Sequence, residues 1–191
     1  MPVPTERPWF TGVDVYRDLT HHFSLLYPRG WHKFELDAEG GQGIILTPSP
    51  DPADVATSLS IEARDLGTVV TAADLPILRQ GVVRGLRQLR DLRIESQEGE
   101  DTADFLNLEF RFTFRESADG PRRKRWLRLA YQDATQVRLI AQGADEAHFE
   151  YWMPFFYQAI RTFQFADWWA EFTGRSWEPT MIPLPAVDDA G

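Results

Sequence analysis

Cysteine is absent from this chain. That absence removes a disulfide framework, a thiolate nucleophile and a cysteine zinc site, so the fold stands on packing alone, as suits a reducing cytoplasm. Histidine is scarce. His21, His22, His32 and His148 show no His-x-x-x-His or paired Glu-x-x-His spacing; they read as exposed or edge residues, and neither a metal nor a cofactor is expected. No Gly-x-Ser-x-Gly elbow occurs. Gly40-Gly41-Gln42-Gly43 precedes a strand-like run instead of opening a helix, so it lacks the amide nest that holds phosphate and reads as a hairpin turn. Nowhere do about eighteen apolar residues run together, and the start of the chain has no basic segment followed by an apolar one. Neither secretion nor a membrane span is expected, and the location follows as cytoplasmic. A formal charge of −9 repels phosphate backbones at long range, which excludes nucleic acid as the main partner. The motifs of common enzymes are missing, and no catalytic residue is assigned.

What the chain has is length and rings. Its 191 residues suffice for one domain with a sizeable core, and seven Trp with thirteen Phe supply bulk for that core and for interfaces. Residues 1 to 20 carry Pro2, Pro4, Pro8, Trp9 and Phe10 and read as an irregular N-terminal arm. Strand-like alternation follows in Phe23–Tyr27, His32–Leu36, Gly43–Leu46 and Thr57–Asp65. The period then changes: Leu75, Leu78, Val82, Leu86 and Leu89 step by three or four, which predicts a helix from Thr71 to Leu92 capped near Thr71 or Asp74. Gly81 and Gly85 share one flank, a spacing that predicts close approach of a backbone or a bulky side chain. Period two returns at Leu106, Leu108, Phe110, Phe112 and Phe114, followed by strands over Trp126–Gln132 and Gln136–Gln142 that complete a meander. A last helix is expected from Asp145 to Phe163, with Pro154 kinking it or starting its second half. The order of elements specifies an α+β fold: a twisted, largely antiparallel β-sheet with helices packed on it.

Between the first two strands stands Tyr27-Pro28-Arg29-Gly30-Trp31, where Pro28 pushes Tyr27 toward extended backbone and Gly30 can take the positive φ of a type II turn. The hairpin Phe23 to Trp31, the run Thr57 to Asp65 with the helix after it, the alternating strand Phe105 to Arg115 and a closing helix ending Ile160-Arg161-Thr162-Phe163-Gln164-Phe165 together resemble the PsbP-like superfamily. That superfamily takes in the extrinsic P subunit of photosystem II, an import factor that binds the Ran GTPase, and bacterial type VI effector-chaperone-like proteins. The resemblance covers about residues 20 to 165, leaving 166 to 191 as a Trp- and Pro-rich C-terminal extension. It implies an α/β/α sandwich and non-catalytic docking or chaperone roles.

Candidate functional residues fall into three groups. One face of the last helix takes Phe149, Met153, Phe156, Ile160 and Phe163 into a core. Tyr151, Trp152 and Phe155, with Trp168, Trp169 and Trp177 downstream, are left for another surface and predict a site for a protein partner or for a second copy of the chain. The alternative is a chaperone-like carrier that shelters apolar segments or small apolar ligands between sheet and helices, using Trp31 and Trp126. Third, Arg79, Arg84, Arg87, Arg90 and Arg93 spread over the polar side of the long predicted helix as a positive strip, facing the protein's own carboxylates or an acidic partner. Glu109, Arg111 and Arg115 read as a solvated strand face, and Arg122-Arg123-Lys124-Arg125 as a solvated hairpin tip.

Overall fold

Alternation puts apolar side chains on one side of a strand only where something covers that side, and here both faces of the main sheet are covered. The computed structural model describes residues 8–38, 41–102 and 105–166. Among them run strands β1 (Val13–Asp18), β2 (Phe23–Pro28), β3 (His32–Ala38), β4 (Gly41–Thr47) and β5 (Ser58–Asp65), then a 3-10 turn over Ala72–Asp74 and helix α1 (Leu75–Leu86). Next come β6 (Arg90–Asp101), β7 (Leu106–Arg115), β8 (Arg122–Gln132), β9 (Thr135–Gln142) and helix α2 (Glu146–Arg161). The seven-stranded sheet has the order β3-β4-β5-β9-β8-β7-β6 and is antiparallel throughout. Two meanders, β3 to β5 and β6 to β9, meet where β5 pairs with β9.

The strand parity of β7 sorts the layers. Leu108, Phe110, Phe112 and Phe114 enter one buried cluster with Leu127, Leu129 and Tyr131 of β8, and α1 lies on it through Leu75, Leu78, Val82 and Leu86. On the opposite face Trp126, Val137, Leu139, Ala141, Leu59 and Ile61 meet Phe149, Phe156 and Ile160 of α2. Asp145 caps α2: its Oδ1 accepts from the His148 backbone N–H at 2.8 Å. Burial works against that carboxylate, and the bonds from His148 outweigh it and hold Asp145 below the usual range. Helix α2 runs through Pro154 without a break.

β1 and β2 form a separate two-stranded ribbon, so residues 13–18, expected within an irregular arm, are a strand. The ribbon is tied to the end of α2, where Ser24 and Gln164 exchange backbone hydrogen bonds of 3.0 Å and Thr162 Oγ1 accepts from the Leu26 N–H. The corner forms the expected type II turn: Gly30 has φ +90°, and the Trp31 N–H donates to the Pro28 carbonyl at 3.2 Å. It is not a hairpin, because β2 pairs with β1 and β3 pairs with β4; the turn passes the chain from ribbon to sheet. His21 and His22 likewise sit in the β1–β2 turn instead of a strand.

The long predicted helix is two elements. α1 stops at Leu86, the chain tightens through Gln88 and Leu89, and β6 begins at Arg90 with Asp91 at φ +51°. Leu89 and Leu92 keep the helical phase by coincidence with a reversal. Gly81 and Gly85 have nothing within 4 Å of where a Cβ would stand, so close packing is not their reason.

Candidate functional site

α2 has more apolar side chains than its core face uses. Trp152 packs edge-on against Trp31 at 5.5 Å between ring centres and against Tyr151 at 5.0 Å. Phe155, expected to meet a partner, is only 5% exposed. Phe10 of the N-terminal arm stacks on it at 5.9 Å while Trp31 and Trp152 close its sides, so Phe155 is the floor of the patch and not its contact surface. Between arm and helix lies a cavity of about 600 Å³ whose apolar lining comes from Pro8, Phe10, Tyr151, Pro154 and Phe155, with Glu150 and Gln158 as its polar members. Beside it Trp9 is 86% and Phe10 56% exposed. Trp168, Trp169 and Trp177 lie outside the described residues.

Beneath α2 the supposedly solvated face of β7 is closed off. Glu109 and Arg128 are 5% and 6% exposed. The carboxylate accepts from Asn107 Nδ2 and from Trp126 Nε1, each at 3.1 Å, with Arg128 Nε 3.4 Å away. Arg128 Nε also donates to Asn107 Oδ1 at 2.9 Å, and its Nη1 donates to the Ile160 carbonyl at the end of α2. Arg111 lies over the Trp126 ring at 4.1 Å, and Arg161 Nη1 stands 4.0 Å from Glu109. Burial pulls Arg128 below its ordinary value and Glu109 pushes it back. Such a carboxylate, with donors on both oxygens, is saturated by protein groups and fixes α2 to the sheet. Trp126 therefore belongs to a sealed layer, not to an open groove as the carrier reading requires. Arg111 and Arg115 of the predicted ladder are half-buried, and Arg115 stands 3.5 Å from Asp91.

The basic run of β8 is paired, not a free hairpin tip. Arg123 meets Glu116 at 2.9 Å, and Lys124 bridges Glu95 at 2.9 Å and Glu150 at 2.7 Å. Burial lowers Lys124, but its bonds to Glu150 and Glu95 prevail and hold it above the ordinary value.

The arginine strip is split. Arg79 and Arg84 are on α1 and Arg87 is its C-terminal cap, whereas Arg90 and Arg93 are in β6, paired with Arg115 and Thr113. Directly paired residues of antiparallel strands share a face. Arg90 and Arg93 thus lie on the side of the sheet away from α1. The other flank of α1 borders a cavity of about 630 Å³, whose lining includes Ile77, Gly81, Gly85, Leu127, Leu129 and Tyr131. Arg64 Nε reaches Gln136 Oε1 at 2.7 Å on its rim, and Gln136 Nε2 donates to the Tyr131 hydroxyl at 2.8 Å.

No family model matches the sequence, and no curated protein does. Solved structures do match. The solution structure of cyanobacterial PsbP (CyanoP) from Synechocystis sp. PCC 6803 superposes with a TM-score of 0.56 at 14% identity, over 84% of this chain and 98% of that one. This chain has the PsbP-like fold. The Saccharomyces cerevisiae Ran-binding protein Mog1p shares it with a TM-score of 0.52 at 9% identity, covering 82% and 96% of the two chains. LpqN of Mycobacterium tuberculosis, involved in cell envelope biogenesis, shares it with a TM-score of 0.51 at 14% identity, over 74% and 82%.

Within the PsbP-like fold of this chain, α2 brings Tyr151, Trp152 and Phe155 into ring contact with one another. Sequence reasoning passed over Trp9 and Phe10, which complete the patch. The available signal was their bulk: two large aromatic side chains next to Pro8, in an arm otherwise rich in proline. No helix among the described residues is long and apolar enough to cross a membrane, and no group of acidic and histidine side chains there has metal-ligand geometry.

Proposed function

We propose that this chain is a non-catalytic accessory protein that docks onto another protein through the aromatic surface of α2 and the N-terminal arm. The observation that carries the reading is Trp9 at 86% and Phe10 at 56% exposed beside a largely apolar cavity of about 600 Å³. Apolar surface left in water forgoes about 25 cal/mol per Å², and Trp and Tyr are the residues that interface centres favour. The occupant is a partner protein that presents aliphatic or aromatic side chains to this cavity. The sequence adds Trp168, Trp169 and Trp177 to the same proposal. The Ran-binding protein Mog1p lends support as a protein of the same fold that binds another protein. Trp9→Ser/Phe10→Ser is expected to weaken the complex about tenfold or more while leaving the melting temperature within a few degrees of wild type. Unchanged affinity of the purified pair would rule this surface out.

A second reading, a carrier of small apolar ligands, is favoured by the cavity beside α1. Glycine inside a helix costs about 1 kcal/mol relative to alanine, and Gly81 and Gly85 face open space. Gly81→Ala and Gly85→Ala are expected to raise stability by about 1 kcal/mol each in urea denaturation. Gly85→Leu is expected to fill the cavity and abolish binding of an apolar fluorescent dye. Retained dye binding by Gly85→Leu removes the carrier reading and leaves the docking surface untouched.

A further inference from the structure

The flank of α1 that faces β6 has a different chemistry from the rest of the surface. A cavity of about 390 Å³ is lined by Arg79, Gln80, Val83, Arg84, Arg87 and Gln97. Three guanidinium groups and two amides surround it, and the lining contains no carboxylate. Among the described residues none of the three arginines forms an ion pair. This concentration of positive charge occurs in a protein whose net charge is −9.

Helix capping accounts for only part of it. Cations near a helix C-terminus gain from the backbone dipole, which covers Arg84 and Arg87. Arg79 stands in the first half of α1, where that dipole gives a cation nothing. Its Nε is buried without a hydrogen-bond partner. Its head crosses β6 at Gly99, where a Cβ would come within 2.4 Å of the Arg79 Nη2 and within 2.9 Å of Leu108. A glycine at that point leaves room for the guanidinium beside the cavity.

We propose that this cavity binds the phosphoryl group of a phosphorylated molecule. A phosphoryl group concentrates three acceptor oxygens at one point, and the planar forks of several arginines match them bidentately. The volume lies within the range of small-molecule sites. An acidic peptide spreads its carboxylates along a line; the strip that would follow such a line is broken, because Arg90 and Arg93 are on the other face of the sheet.

The test uses the full chain and inorganic pyrophosphate as probe, measured by titration calorimetry. Wild type is expected to bind. Arg84→Gln/Arg87→Gln, whose exposed side chains leave the fold intact, is expected to lose affinity about tenfold or more, and Arg90→Gln/Arg93→Gln to bind as wild type. Arg79→Lys keeps the charge but loses the fork, and a drop of about fivefold or more is expected. In a parallel arm, phosphatidylcholine vesicles containing about one-fifth phosphatidic acid report the source of the phosphate. Flotation that depends on Arg84 and Arg87 assigns a lipid headgroup, and pyrophosphate binding without flotation assigns a free phosphate ester. Three results overturn the proposal: no binding of either probe, binding indifferent to Arg84 and Arg87, or tighter binding of a hexaglutamate peptide than of pyrophosphate.

Discussion

Replacing Arg128 with methionine is expected to destabilise the fold by about 3–5 kcal/mol, the range for breaking a buried ion pair from one side. Methionine fills much of the same volume but donates nothing. Glu109 then keeps its charge with one guanidinium fewer, while Asn107 Oδ1 and the Ile160 carbonyl lose their donor. The last of these matters most for the architecture, because Ile160 lies in the final turn of α2 and Arg128 in the middle of the sheet. The loss should be strongly non-additive. Arg128→Met/Glu109→Leu removes both charges together and is expected to be more stable than the sum of the two single changes predicts, because neither partner is left buried alone. Urea denaturation of the four proteins measures the coupling. A loss under about 1 kcal/mol for Arg128→Met, the scale of a surface pair, would mean that water reaches this layer and that α2 does not seal it.

Gly143→Ala is the second large effect. Gly143 leaves β9 directly under the first turn of α2, and a Cβ there would stand 2.4 Å from the Phe149 nitrogen, 2.5 Å from the Asp145 carbonyl oxygen and 2.7 Å from the Phe149 Cα. These are backbone atoms of a capped helix, so no side chain can swing away to make room. One methyl group is therefore expected to shift the start of α2 and cost about 3 kcal/mol, at the upper end for overpacking. The same chemical change at Gly81 or Gly85 has the opposite expected sign, since nothing stands within 4 Å of either. The contrast separates crowding from helix propensity in one denaturation series. Equal effects at the three positions would contradict the packing described for the start of α2.

Particular residues explain how much of this was legible. The five apolar residues of β7 alternate without a fault and the meander after them follows on short links, so these strands could be read directly, as could the runs that form β3, β4 and β5. β6 was hidden because Leu92 and Ile94 give it only two apolar positions before Glu, Gln and Gly take over, while Leu89 and Leu92 stay in phase with α1. The Asp/Arg content of β1 hid it in the same way. Alternation distinguishes polar from apolar faces, not wet from dry ones. Glu109 therefore reads as solvated until Arg128 and Trp126 of the neighbouring strand and Ile160 of α2 are known to cover it. At the candidate surface, Tyr151 and Trp152 were visible as rings in excess of one core stripe. The stacking of Phe10 on Phe155 was not, because no local pattern links an arm to a helix so distant in sequence.

The docking account stands on the outer surface of α2, and photo-crosslinking tests it most directly. A benzophenone side chain at position 151, beside the cavity formed with Phe10, is expected to capture one defined protein. Addition of Trp9→Ser/Phe10→Ser is expected to abolish that adduct. The same probe at the exposed Gln88 beyond α1 is expected to capture none of it. An adduct of equal yield from both positions, or one that survives the arm substitutions, would contradict the account.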